Sequence, residues 1–340
     1  MPEPSRRPTL ADVAKASGMS KSAVSMILNE RPGSRLSPEA AARVRSAAEA
    51  LGYRPNPAAQ SLRWGKTRTI GFISDQVTVT RFASGMIHGA LRTARAHDHT
   101  VLIAETEGEP GRLEEAIASM LDQRVDGLLV GLMAARLVDL PPVPRDVPLV
   151  IINGQTARDD ASVLPEEYRA GRRIAEVLLD AGHRRIGIVG DLDDIRDPRV
   201  SATIRHRFAG IDDALQAAGA SPTRVTVPRW DPTVGYEEAL RMLSAHPTLT
   251  ALIAGNDSAA LGIYQAAQEL GMTLPSDLSV VSFDDEELAA YLRPGLTTAR
   301  LPYIEMAQIA MEMILGTREL AHELVPMPLI IRRSVGRPRG

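Results

Sequence analysis

Apolar positions near the start of the chain recur at helical spacing. Thr9-Leu10-Ala11-Asp12 has the form of a capping box, a hydroxyl at the N-cap and a carboxylate three residues on, and predicts a helix over Leu10 to Ser17 that ends at Gly18. Ser20 caps a second helix through Leu28, and Val13, Ala14, Met19, Val24 and Ile27 are placed to form one seam. Ala14 is small enough for the two helices to cross closely, and Gly18 supplies the tight turn. A third helix opens at Ser37-Pro38-Glu39, carries Val44, Ala47, Ala48 and Leu51 at helical spacing, and stops at Gly52. Asn56 as N-cap, Pro57 at the first helical position and Gly65 as stop frame a fourth, short segment. Isolated helices below about 12 to 15 residues are marginal in water, so this one is expected to order only against DNA or a partner subunit. The plainer alternative is a linker with an accidental cap.

From Thr69 onward the pattern changes. Apolar runs at Ile70–Ser74, Val101–Glu105, Gly127–Gly131, Leu149–Asn153, Arg185–Gly190, Ala251–Gly255 and Leu278–Phe283 alternate with amphipathic stretches such as Glu114 to Gln123, Arg172 to Ala181, Phe208 to Ala217 and Ser258 to Leu270. This alternation predicts doubly wound parallel sheets of the α/β class. There are too many strands for one ordinary sheet, so two lobes are expected, with a cleft at the carboxyl ends of their strands.

Charge divides the chain at the same place. Residues 1 to 68 hold 12 Lys and Arg against 5 Asp and Glu, a surplus of +7 in a chain whose net charge is −3, which leaves −10 for the remainder. A basic head on an acidic body points to a polyanionic partner for the head alone. The chain has no cysteine, which removes disulfides, thiolate nucleophiles and Cys-ligated zinc. No apolar run approaches the length of a membrane span and no apolar stretch follows the first basic residues, so a soluble, cytoplasmic protein is expected. Dinucleotide, P-loop and nucleophile-elbow motifs are absent, and so is a histidine pair at zinc-ligand spacing on a helix, His97 and His99 lying only two apart. A binding cleft without catalysis, cofactor or metal is the expectation; an enzyme on the same lobes, or a binding module with an incidental basic head, are its rivals.

The segment TLADVAKASGMSKSAVSMILNE, followed by LGYRPNPAAQSLR, resembles the headpiece and hinge of the LacI/GalR family of bacterial transcription repressors. The resemblance implies a helix-turn-helix headpiece over residues 1–55, a hinge helix over 56–66, and a two-lobed, periplasmic-binding-protein-like core over 67–340. Chain crossings near Val163, Pro294 and Pro326 would give an N-terminal lobe of 67–163 and 294–326 and a C-terminal lobe of 164–293 and 327–340. It further implies that the second helix enters the major groove with Lys21 and Ser22 at base-reading positions. Met26 stands where the family often has Arg or His, and replaces a polar reader by an apolar one. Thr9, Ser20, Ser25 and Asn29 fall at phosphate-contacting positions. In the hinge, Leu62 would wedge a base step from the minor groove with Ala59 against the groove floor, while Trp64 packs.

The same resemblance marks cleft candidates: Phe82, Glu166 (or Glu167, one residue of register away), Arg205 in RHRFAG, Trp230, Asn256 and Asp284. Carboxylate, amide and guanidinium groups pair with the hydroxyls of a polar ring while aromatic faces cover its apolar side. Each has a plainer role: Asn256-Asp257 as a helix cap, Asp284-Asp285 as a strand-end turn, Arg205 as a solvated helix residue, Trp230 as core. The expected protein is a homodimeric repressor on a near-palindromic double-stranded operator, controlled by a small-molecule effector that is a carbohydrate or its derivative. No leucine heptads follow the last strand, so a dimer and not a tetramer is expected, with the N-terminal lobe helices near Met86 and the C-terminal lobe near Tyr264 as its interface faces.

Overall fold

The computed structural model describes residues 8–28, 37–54, 65–80, 83–109, 111–192 and 197–339. Asn29, Ala59, Leu62, Trp64 and Phe82 lie outside the described residues. The chain divides into two compact units, Met1–Thr67 and Arg68–Gly340.

In the first unit, α1 (Leu10–Ser17), α2 (Lys21–Leu28) and α3 (Pro38–Ala50) enclose one small core. The Asp12 carboxylate accepts from the Thr9 backbone N–H at 2.8 Å and from its hydroxyl at 2.7 Å, and Gly18 takes φ +68° to turn the chain. Ser20 and Ser37 accept from Ala23 N and Ala40 N and start the next two helices. Val13, Val24, Ile27, Val44 and Ala48 are buried together, with Met19 and Leu10 packed on them.

The second unit carries two sheets. The first runs β11-β5-β4-β3-β1-β2, all parallel, from β1 (Thr69–Asp75), β2 (Thr100–Glu105), β3 (Gly127–Val138), β4 (Leu149–Thr156), β5 (Ser162–Pro165) and β11 (His322–Val325). The second runs β12-β10-β9-β8-β6-β7, from β6 (Ile186–Leu192), β7 (Thr223–Val227), β8 (Ala251–Ala254), β9 (Ser279–Asp284), β10 (Thr297–Arg300) and β12 (Leu329–Ile330), with only β12 antiparallel to its neighbour. Helices cover both faces of each sheet, as parallel sheets require. On the first, α4 (Ser84–Ala96) and α11 (Tyr303–Ile314) bury Met86, Ala90, Met306 and Ala310, while α5 (Arg112–Asp122) buries Ile117 and Met120 on the other face. On the second, α8 (Pro232–Ala245), α9 (Asp257–Glu269) and the short α10 (Glu287–Tyr291) cover one face, and α6 (Glu167–Asp180) and α7 (Ile204–Ala217) the other.

The chain passes between lobes at Glu166, at Leu301–Pro302 and at 326–328. The second passage corrects the sequence-based position at Pro294, because β10 still pairs with β9 in the second sheet and leads to α11 only after Arg300. The first falls at Glu166 and not Val163, since Val163 pairs with Ile152 inside the first sheet. Met86 is fully buried and Tyr264 nearly so, the Tyr264 hydroxyl donating to Pro294 O at 2.9 Å, so both side chains point into their lobes. Among the described residues no helix is long and apolar enough to cross a membrane.

Candidate functional site

Between the lobes, at the carboxyl ends of β6, β8 and β9, lies a cavity of about 420 Å³. The first lobe contributes Met133 to Ala135, Asn153 and Tyr303; most of the wall comes from the second. Two backbone hydrogen bonds tie the lobes at its margin, Leu137 N to Pro198 O at 2.8 Å and Ala202 N to Ala135 O at 2.7 Å.

Arg207 forms the floor. It is 1% exposed, its Nε and Nη2 donate to the two oxygens of Glu167 at 2.7 and 2.8 Å, and Nη1 donates to Gly255 O at 2.6 Å. Its guanidinium also lies 4.2 Å from the Phe283 ring centroid and 5.3 Å from that of Trp230. The pair exists because α6 and α7 cross in close contact: a Cβ at Gly171 would sit 1.9 Å from Arg207 O, and one at Gly210 would sit 2.0 Å from Tyr168 O. Only hydrogen fits there.

Two of the six cleft candidates, Arg205 and Glu166, do not line the cavity, while Arg207 and Glu167, the latter the alternative in the neighbouring register, do. Arg205 is exposed, its Nε 3.3 Å from His206 Nε2, and it does not line the cavity; Arg207 does. Residues two apart on a helix face nearly opposite ways, so only Arg207 shares the buried stripe of Ile211, Ala214 and Leu215. Glu166 is likewise outside the lining, 3.5 Å from Arg169, and Glu167 stands in its place. Trp230, Asn256 and Asp284 do line the cavity, together with Thr203, Ser258 and Glu286, which the sequence reading did not single out. Trp230 Nε1 donates to Gly190 O at 2.7 Å and its ring packs on Gly255 while lining the cavity. Asn256 is at once the cap of α9, accepting from Ala259 N at 2.8 Å, and part of the wall.

The site is strongly acidic. Asp284, at φ +105°, is held at the end of β9 in a backbone region that costs a non-glycine residue energy. Its nearest cation is Arg207 Nη2 at 3.8 Å. Burial pushes its carboxyl well above the ordinary range, against the pull of Arg207. Glu286 is raised by burial too. Behind them Asp257, wholly buried, accepts from Ser282 and Thr298 hydroxyls and from Glu286 N, yet burial outweighs these bonds and pushes it up to about 7.

In the head, Lys21 and Ser22 are exposed at the start of α2 and Met26 is half-buried. Thr9 and Ser20 are engaged in the caps described above, and Ser25 is buried at 8% exposure. His97 and His99 each set Nδ1 against a backbone carbonyl, of Thr93 and His97.

Comparison with known proteins places this architecture. Residues 9–56 match the profile of bacterial regulatory proteins of the lacI family, and residues 175–335 that of the periplasmic binding protein-like domain. The ribose operon repressor of Escherichia coli (strain K12) is 31% identical over 314 residues, spanning 90% of this chain and 92% of that protein. The chain belongs to the lacI family of bacterial regulatory proteins. It is therefore a DNA-binding transcriptional regulator and not an enzyme. The transcriptional repressor PurR of Pectobacterium atrosepticum is 30% identical over 340 residues and 96% of each chain. Among solved structures, the lac repressor dimer bound to operator and the anti-inducer ONPF superposes with a TM-score of 0.77 at 24% identity, covering 97% of this chain and all of that one, a likeness of fold.

Proposed function

We propose that this lacI-family regulator is a cytoplasmic, homodimeric repressor of a near-palindromic operator, and that a small polar ring compound, a sugar or sugar derivative, sets its operator affinity from the cavity between the lobes. The observation that carries this reading is the wall itself: a buried ion pair, Arg207 with Glu167, flanked by an aromatic ring and several hydrogen-bonding side chains, around a space of ligand size. Such a polar interior is costly to keep unless something uses it. Lys21, Ser22 and Met26 would read bases, Thr9, Ser20, Ser25 and Asn29 would hold phosphates, and Ala59 and Leu62 would occupy the minor groove. Ligand shifts the lobes, the lobes set the spacing of paired hinges, and the hinges order or fail to order on DNA. About 1 to 3 kcal/mol of such coupling changes operator affinity some 5- to 150-fold.

Thermal-shift screening of sugars, polyols and nucleobases on the full chain, followed by titration of DNA selected from random sequence, tests this. A hit that raises the midpoint, shifts DNA affinity and loses both effects in Trp230→Ala supports the cavity as the control site. A hit that shifts DNA affinity equally in Trp230→Ala places the site elsewhere.

A further inference from the structure

The cavity has more carboxyl groups than cations. Among its described lining residues the charged groups are Arg207 against Glu167, Asp284 and Glu286, and Glu167 is fully engaged by Arg207. That leaves two carboxyls without a matching cation. Asp284 reaches Arg207 only at 3.8 Å, and Glu286 receives one long hydrogen bond, from Ser258 Oγ at 3.3 Å. Asn153 adds to the imbalance: its amide nitrogen donates to Leu132 O and Met133 O, both at 3.0 Å, so the face it has left is its carbonyl oxygen. A second, separate observation points to an absent occupant. Thr203, 4% exposed and part of the same wall, has a buried Oγ1 with no hydrogen-bond partner among the described residues. Buried hydroxyls in native proteins are almost always paired, so this one is waiting for a group to enter.

A neutral ring with as many acceptors as donors does not correct this imbalance, and a phosphate or carboxylate would add to it. A protonated amine brings three donors, no acceptor and a positive charge. Trp230, whose ring borders the space, is also the aromatic that best tolerates a nearby cation. We propose that the effector carries a protonated amine, as an amino sugar does, with its ammonium group at Asp284 and Glu286 and its ring against Trp230. This rests on the reading of the cavity as the effector site and narrows its ligand class. It also gives the φ +105° backbone of Asp284 a purpose, since that conformation sets the carboxylate at the end of β9 on the cavity wall.

Calorimetry on the full chain with glucosamine, galactosamine and mannosamine, their parent hexoses and the phosphate esters of those hexoses tests the class. At least one amine is expected to bind more tightly than its parent by about tenfold or more, the worth of one charge-assisted hydrogen bond, and more tightly than the ester. Asp284→Asn, which keeps shape and removes the carboxyl that an ammonium group would hold ionised, should bring amine and parent to parity, and Glu286→Gln should move them in the same direction. Parity in the unaltered protein, an ester that binds best, or no binding by any amine each overturns the proposal. If a neutral compound instead binds, loses affinity in Trp230→Ala and shifts DNA affinity, the amine falls while the cavity reading stands. If an amine binds indifferently to Asp284→Asn, Glu286→Gln and Trp230→Ala, both fall.

Discussion

Arg207 and Glu167 meet as a two-pronged ion pair at 2.7 and 2.8 Å across the crossing of α6 and α7, both within 3% of full burial. Neither helix could bury its own charge alone. The pair fixes the angle between them and sets the guanidinium at the cavity floor, so one contact serves both packing and binding.

Removing one partner strands the other. Glu167→Ala should destabilise the core by about 3 to 5 kcal/mol, because an uncompensated guanidinium remains buried. Denaturant unfolding of Glu167→Met, Arg207→Met and the double variant is the check: the double loss should be much smaller than the two single losses together. Simple additivity would mean that the pair is not coupled.

The helix crossing should be as sensitive as the charges. Gly171→Ala introduces a methyl 1.9 Å from Arg207 O, so α6 and α7 must separate. A loss of about 1 to 3 kcal/mol, or more, is expected, with loss of ligand binding. Gly111→Arg on the same unit, where a Cβ meets nothing within 4 Å, would be confounded by its φ of +84°, so Gly85→Ala, with contacts no closer than 3.3 Å, is the better comparison and should cost less.

Arginines two residues apart should behave differently. Arg205→Ala should stay within about 0.5 kcal/mol of the parent protein and keep its ligand affinity, as exposed substitutions do. Arg207→Gln should lose ligand binding even where it folds. Equal losses in calorimetry would mean that Arg205 reaches the ligand after all.

Stability should depend on pH in a direction set by the buried acids. Asp257, pushed up to about 7, and Asp284 and Glu286, also raised by burial, bind protons more tightly folded than unfolded. Their contribution is therefore fully present below the ordinary carboxylate range and is lost as pH rises toward 7. Denaturant midpoints should fall from about pH 5 to pH 7 and fall less steeply in Asp284→Asn. A midpoint that rises over this interval, with no difference between the two proteins, would contradict the burial of these groups.

Head and hinge should separate reading from bending. Lys21→Ala should cost about 1 to 3 kcal/mol on the selected operator and relax preference at one base. Leu62→Ala should weaken specific binding while low-salt nonspecific binding persists, measured by anisotropy on selected and scrambled duplexes. Equal loss on both duplexes would reject the wedge.

Much of this architecture was written in local pattern. Thr9 with Asp12, Gly18, Ser20 and Ser37-Pro38 marked the head helices, because caps and left-handed turns are decided by a few adjacent residues. The long apolar runs became β1, β3, β4, β6, β8 and β9, because strands buried on both faces need little but apolar side chains, and also the half-exposed edge strand β2. Even the arginine that lines the cavity was legible: Arg207 falls in step with Ile211, Ala214 and Leu215, and Glu167 with Ala170, Gly171 and Ile174.

Tertiary structure decided what pattern left open. Strand β10 reads Thr-Thr-Ala-Arg and has no apolar run, yet Thr297 and Thr298 are fully buried because Ser334 Oγ accepts from Thr297 N, Thr297 Oγ1 accepts from Arg332 N, and the Thr298 hydroxyl donates to Asp257. Those partners come from about 35 to 41 residues away in sequence, and they moved the lobe boundary past Pro294. The same holds for the cavity. Sequence supplied the acids and the arginine, but which carboxyls are paired and which line the cavity depends on helices and strands brought together from both lobes, since a charge is satisfied by distance and not by order along the chain.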